Sequence, residues 1–284
     1  MSKIRGRTTA LSFSWSGVTL VAFAVLLVWT LFPIYWTLAS GLKSGAQLYT
    51  HPPTYFPIPP TLANFQQVFV TRALLKFMRN SLIVAAISTP LSVFVGALAA
   101  YSLARFRFRG RGLLMFLVLA VRMLPALIIA LPMFLIFTRI GLVDNLFALA
   151  IVYVAFNLPF NIWLLAGFFA EVPKELEEAA VVDGCSRWQA FVKVLVPLTA
   201  PGLVAAAILS AIFSWNEFAY ALILTNTPDA QTLPIAMAGL QTDRGTAFGE
   251  IGAIGTVAVL PVLAFGLYVQ KYLARGLTAG AVKG

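Results

Sequence analysis

Cysteine, histidine and charge are scarce in this chain of 284 residues. It holds one cysteine, Cys185, and one histidine, His51. A single cysteine excludes an internal disulfide, and a single histidine argues against a protein-ligated metal site, so no metal residues are nominated. Charged residues make up only 11% of the sequence, against roughly 25% in soluble domains. No G-x-x-x-x-G-K-[ST] phosphate loop is present, and no Ser/His/Asp or Cys/His arrangement can be assembled. Catalytic residues are therefore expected to be none. There is no internal repeat and no low-complexity tract. No secretory cleavage signature precedes the first apolar run, which is expected to remain as a membrane helix.

What is abundant is apolar surface. Hydrophobic residues reach 60% and the mean hydropathy is +0.90. A helix needs about 20 apolar residues to cross a bilayer core. Six runs meet that length: 18–39, 81–103, 113–137, 146–170, 202–225 and 252–269. These predict one all-α membrane domain over 1–284 with six transmembrane helices. Asn157, Pro159 and Asn161 interrupt the fourth run, which reads as a kinked helix. The net charge of +10 sits in short clusters between the runs, the pattern of loops facing a cytoplasm rather than of a nucleic-acid surface. With the N-terminus inside, thirteen Lys and Arg fall in cytoplasmic segments and six outside, and Arg122 within the third run completes the 20. Both termini are then cytoplasmic.

The loop 171–201 stands apart. Pro173 followed by Glu175, Glu177 and Glu178 suits a helix start. Ala179 and Ala180 present almost no side chain. Asp183-Gly184 reads as a helix stop, with glycine in the left-handed conformation. Ser186 and Gln189 fit a capping box that restarts a helix through Trp188, Phe191 and Val194. Pro197 and Pro201 then punctuate the approach to the fifth run. The expected object is a helix–turn–helix knob at the inner membrane surface. Spacing alone leaves a plain surface loop as an equal alternative.

Glu178-Ala179-Ala180, Gly184 and "VLVPL" ending at Leu198 together resemble the EAA motif of ABC importer permeases. "SWNEFAYALILT" (214–225) is similar to the fifth-helix signature of the carbohydrate branch, and "NSLIVA", "AAYSLARFRFRGR" and the end "YLARGLTAGAVKG" are similar to the maltose-type, MalG-like permeases. The resemblance implies a type I ABC importer permease fold in a bacterial inner membrane and half of a permease heterodimer. The implied partners are a second, MalF-like permease, a homodimeric ATPase subunit that binds ATP and Mg, an extracytoplasmic solute-binding protein, a sugar and membrane lipid. No cofactor is implied in this chain. It also implies that Glu178, Ala179, Ala180, Asp183, Gly184 and Pro197 form the coupling element on the ATPase. The tail residues Gly276, Thr278, Gly280 and Lys283 would lie as extended backbone along the ATPase dimer. Cys185 stands where the family usually has alanine or serine, and Arg122 where a neutral residue is expected.

Four residues inside the runs are candidates for the translocation pathway: Arg122, Asn216, Glu217 and Tyr220. Arg122 could equally pair with Glu217 or snorkel to the inner surface, and Tyr220 reads as packing. Two other functions stay open at this stage. One is an ABC permease for another solute, such as an anionic sugar derivative or glycerol phosphate. The other is an ion-driven secondary carrier, which the absence of matching halves disfavours.

Overall fold

The structure, a computed structural model, describes residues 17–242 and 245–281. Its first helix, α1 (Gly17–Leu42), is apolar on every side, and only Ala39, Ser40 and Gly41 are buried. A helix of this kind with outward-facing side chains has lipid as its solvent. The proline-rich stretch that follows is irregular, and Thr61 Oγ1 accepts the Ala63 amide at 3.1 Å where a short helix begins.

Helix α2 (Leu74–Arg105) carries Val84, Ser88, Ser92, Gly96, Ala100 and Ala104 on its buried face. Spaced by four, these small residues make one stripe and let a neighbour approach closely. That neighbour is α5 (Leu146–Glu171), which makes the most extensive helix contact in the molecule. A Cβ on Gly96 would stand 2.8 Å from Asn161 Cβ. Pro159 lies inside α5 without ending it.

Two predicted spans are broken. The run 113–137 is divided into α3 (Arg111–Arg122) and α4 (Ala126–Arg139), bent by 86°. Pro125 explains the break, because it lacks an amide hydrogen and pushes Leu124 out of the helical region. The loop 171–201 forms α6 (Lys174–Val182) and α7 (Arg187–Leu198), and a 77° bend leads into α8 (Ala200–Asn216). The run 202–225 also divides, into α8 and the short α9 (Ala219–Leu224). Among the described residues, four helices are long and apolar enough to cross a membrane, or up to six if each bent pair counts as one span.

Beyond α9 come α10 (Leu233–Ala238), a two-residue hairpin pairing Gln241 with Thr246, and α11 (Phe248–Ala281). Helix α11 is longer than the predicted 252–269. It carries positions 276, 278 and 280 as helix rather than extended chain, and Lys283 lies outside the described residues. Helices α1 and α11 cross at glycine, where a Cβ on Gly252 would stand 2.5 Å from the Gly41 amide nitrogen.

Asp144 ties the α4–α5 turn to the chain after α9. Its Oδ1 accepts the Asn226 and Thr227 amides at 2.8 and 2.9 Å, and its Oδ2 accepts the Thr227 hydroxyl at 2.6 Å. Partial burial disfavours the carboxylate, yet these three bonds prevail and hold its pKa below the ordinary value. A depressed folded pKa contributes stability above the unfolded pKa, lost as pH falls through the folded one. Asp144→Ala should therefore destabilise the protein by about 1–2 kcal/mol at pH 7, with solvent competition limiting the effect. Melting of wild type and variant at pH 7 and pH 3 checks this, and the difference should shrink at pH 3.

Candidate functional site at the α6–α7 knob and the polar seam

The predicted turn of the loop 171–201 forms as local chemistry dictates. The Gly184 amide donates to Val181 O at 3.0 Å and the Cys185 amide to Ala180 O at 3.0 Å, closing α6. This double closure needs a residue in the left-handed region, and Gly184 has φ +90°. The capping box follows: Ser186 Oγ accepts the Gln189 amide at 3.2 Å and Gln189 Oε1 accepts the Ser186 amide at 2.8 Å. Helix α7 widens to a π-turn over Phe191–Leu195, two residues before Pro197. Pro197 has no amide hydrogen to give Lys193 O, and its ring crowds that carbonyl, so the ladder loosens there.

Of the nominated coupling residues, Glu178, Ala179, Asp183, Gly184 and Pro197 are exposed and Ala180 is half-buried. Apolar side chains project beside them: Val182 is 85% exposed, Trp188 55% and Val181 45%. This apolar cluster lies beside a cleft of about 390 Å³ lined by Lys174, Glu178, Val182 and Arg187.

The residue that fastens this knob to the bundle was not singled out by its sequence. Glu177 turns inward: its Oε2 accepts Arg105 Nε at 2.8 Å and its Oε1 accepts the Tyr101 hydroxyl. The side chains of Arg105 and Glu177 are only 6% and 14% exposed. The alternation of Glu177 inward and Glu178 outward follows from the roughly 100° between successive helical residues. The only sequence signal was position, since Glu175, Glu177 and Glu178 look alike as a charge run.

A polar seam also joins α2, α5 and α8 in mid-bundle. Asn157 Nδ2 donates to Ser214 Oγ at 2.9 Å, and Ser214 lies 3.1 Å from Ser88 Oγ. One turn away, Asn161 Nδ2 donates to Ser92 Oγ at 3.1 Å and Asn161 Oδ1 accepts Ser210 Oγ at 2.9 Å. The asparagines that read as interruptions are thus cross-links between helices.

The four pathway candidates separate. Glu217 does not pair with Arg122. Its carboxylate accepts the Tyr220 and Ala221 amides at 3.0 and 3.3 Å, capping α9 and explaining the break before it. Tyr220 is 5% exposed and packs edge-on against Phe156. Asn216 is exposed, with its amide on Ile212 O at 2.8 Å. Arg122 is half-buried among Phe156, Phe160 and Phe213, 4.7–5.5 Å from their ring centres, and donates to Phe156 O at 3.1 Å.

Residues 92–279, which contain the knob, most of the seam and most of α11, match the family described as "Binding-protein-dependent transport system inner membrane component". The chain belongs to this family. The permease is 38% identical over 272 residues to the sulfoquinovosyl glycerol transport system permease protein SmoH of Agrobacterium fabrum, covering 96% of this chain and 95% of that one. It is 39% identical to the trehalose transport system permease protein SugB of Mycobacterium tuberculosis, covering 90% and 93%. It is 36% identical to the diacetylchitobiose uptake system permease protein DasC of Streptomyces coelicolor, covering 95% and 97%. The crystal structure of a bacterial ABC transporter that imports the acidic polysaccharide alginate superposes with a TM-score of 0.75 at 25% identity, covering 90% of the permease and 95% of that chain. The permease is a multi-pass inner-membrane subunit of an ABC importer, which removes the ion-driven carrier from consideration.

Proposed function

We propose that the permease forms half of the pathway of a sugar importer and is driven through its α6–α7 knob by a separate ATPase subunit. The observation that carries this reading is the knob itself. Val181, Val182 and Trp188 are held outward by the Gly184 turn, while Glu177 anchors the base of the same helix to Arg105. A rigid, outward apolar tip on a braced lever can pass a displacement from a bound protein to α2, and a floppy loop could not. ATP and Mg then belong to the ATPase, and this chain supplies no cofactor site. Both termini lie on the ATPase side, a second permease completes the pathway, and an extracytoplasmic binding protein delivers the solute. The end of α11, with Gly276, Thr278 and Gly280, contacts the ATPase as a helical segment.

Carbohydrate as the solute class is supported by the relatives, whose names specify trehalose and diacetylchitobiose, and by the structural neighbour that imports a polysaccharide. An anionic sugar derivative is kept as a second reading because Arg122 carries an unneutralised charge inside the bundle.

The test is recovery of the ATPase with the tagged permease from co-expressing membranes. Glu178→Lys should lower recovery at equal permease level, because it reverses the charge on the exposed face. Gly184→Leu should leave insertion intact but reduce transport-coupled ATP hydrolysis, since left-handed backbone costs a non-glycine residue about 1–2 kcal/mol. No intramolecular atom lies within 4 Å of a Cβ built there, so the permease's own packing is spared. Full recovery with Glu178→Lys and full coupling with Gly184→Leu would remove the knob from the mechanism.

A further inference from the structure

We propose that Arg122 is an oxyanion subsite in the pathway, which receives the carboxylate or sulfonate of an acidic sugar; this rests on the sugar-importer reading above. Arg122 ends α3, immediately before the 86° bend. It stands eleven residues, about 16 Å of helix, from Arg111 at the other end of α3, in a helix pair apolar enough to enter a membrane. An arginine in such a segment normally meets a carboxylate or faces water. Among the described residues no carboxylate stands within ion-pairing distance of it. The acid on the neighbouring α8–α9 break, Glu217, accepts the Tyr220 and Ala221 amides and forms no ion pair with Arg122.

Three aromatic rings hold the guanidinium by cation–π attraction, with Phe213 nearest at 4.7 Å. Ring quadrupoles attract a cation without neutralising it, so the positive charge persists in a poorly hydrated place. One of five N–H donors is used, by Nη1 on Phe156 O. The unused donors have the forked geometry that suits a planar or tetrahedral oxyanion in two-point contact.

Space is available beside it. A cavity of about 110 Å³ is lined by Arg122, Leu124, Ala126, Met133, Phe156 and Tyr220. This is room for several water-sized groups, enough for a carboxylate or sulfonate to sit beside the guanidinium. Rings that attract the guanidinium without neutralising it leave its charge for a ligand. The bend places it where α3 stops and the cavity opens.

The experiment uses the complete permease–ATPase complex in nanodiscs with the binding protein omitted. Equilibrium dialysis compares digalacturonate with its neutral counterpart, galactobiose. Wild type should retain the uronate at least tenfold better. Arg122→Gln should lose that preference, and Arg122→Lys should keep part of it, because lysine preserves the charge without the fork. Absence of preference in wild type, or its survival in Arg122→Gln, overturns the proposal. So does equal loss of both sugars in Arg122→Gln, which marks a structural role. A parallel measurement adds the binding protein and tests import of a panel of neutral and uronic sugars. Import without uronate preference sinks the Arg122 subsite and leaves the sugar-importer reading standing. Import of no carbohydrate sinks both.

Discussion

Arg105→Met should speed amide hydrogen exchange across α6 by about a hundredfold or more while leaving the spans protected. The pair it breaks is buried, and removing one partner of a buried ion pair typically costs about 3–5 kcal/mol, because the other charge is left uncompensated. Glu177 would retain only the Tyr101 hydroxyl among the two partners it now has. Each 1.36 kcal/mol corresponds to about tenfold in the local opening equilibrium. The contribution of the pair itself is a separate matter: Arg105 Nη2 is buried without a partner, so the pair is not fully satisfied even in the native state. For that reason Arg105→Met combined with Glu177→Leu should restore much of the protection lost in the single variant. Transport should not return with it, since the double variant removes the geometry that braces the lever. Exchange mass spectrometry on the purified complex reads both results. Unchanged exchange at 174–182 in the single variant would show that α6 is held by its apolar contacts alone.

Gly252→Leu should have the second large effect, a loss of folded permease at the α1–α11 crossing. A Cβ there would stand 2.5 Å from Gly41 N and 2.8 Å from Thr37 O, both backbone atoms that cannot rotate away. Overpacking in a close-packed site costs typically 1–3 kcal/mol and occasionally more; with two helix backbones in direct contact, we expect about 3 kcal/mol or above. The contact is also the principal attachment of α1, whose other buried residues are only Ala39, Ser40 and Gly41 themselves. Gly266→Leu on the same helix is the control, because a Cβ there meets nothing within 4 Å. Thermal melting of the detergent-purified complex should show a markedly lower midpoint for Gly252→Leu and none for Gly266→Leu. Equal midpoints would mean that α1 slides aside freely.

The sequence by itself determined the features whose causes are local. Hydropathy marked the apolar runs, since a bilayer imposes length and composition on any segment that crosses it. The Asp183-Gly184 stop and the Ser186–Gln189 box were legible because each is made by residues three to five positions apart. The EAA pattern, resting on the same short-range residues, pointed to the family in which the chain belongs. Proline gave partial information: Pro125 and Pro197 stand at real disruptions, whereas Pro159 is carried inside an unbroken helix. The difference is whether neighbouring helices support the weakened turn, which is not a local property.

Tertiary structure alone decided which of several similar residues does what. Glu177 and Glu178 are equivalent in a charge run, but Glu177 finds Arg105, 72 positions away, and Glu178 finds solvent. Asn157 and Asn161 became bonds to serines 57 and 69 positions distant. Glu217 turned to its own next turn of helix, leaving Arg122 to three aromatic rings on two other helices. Gly41 and Gly252 met across more than two hundred residues of chain. Composition and periodicity report what a segment prefers against lipid and water, and the same preference fits many partners. The choice among partners is made only when helices pack, where a contact exists at a few ångströms or not at all.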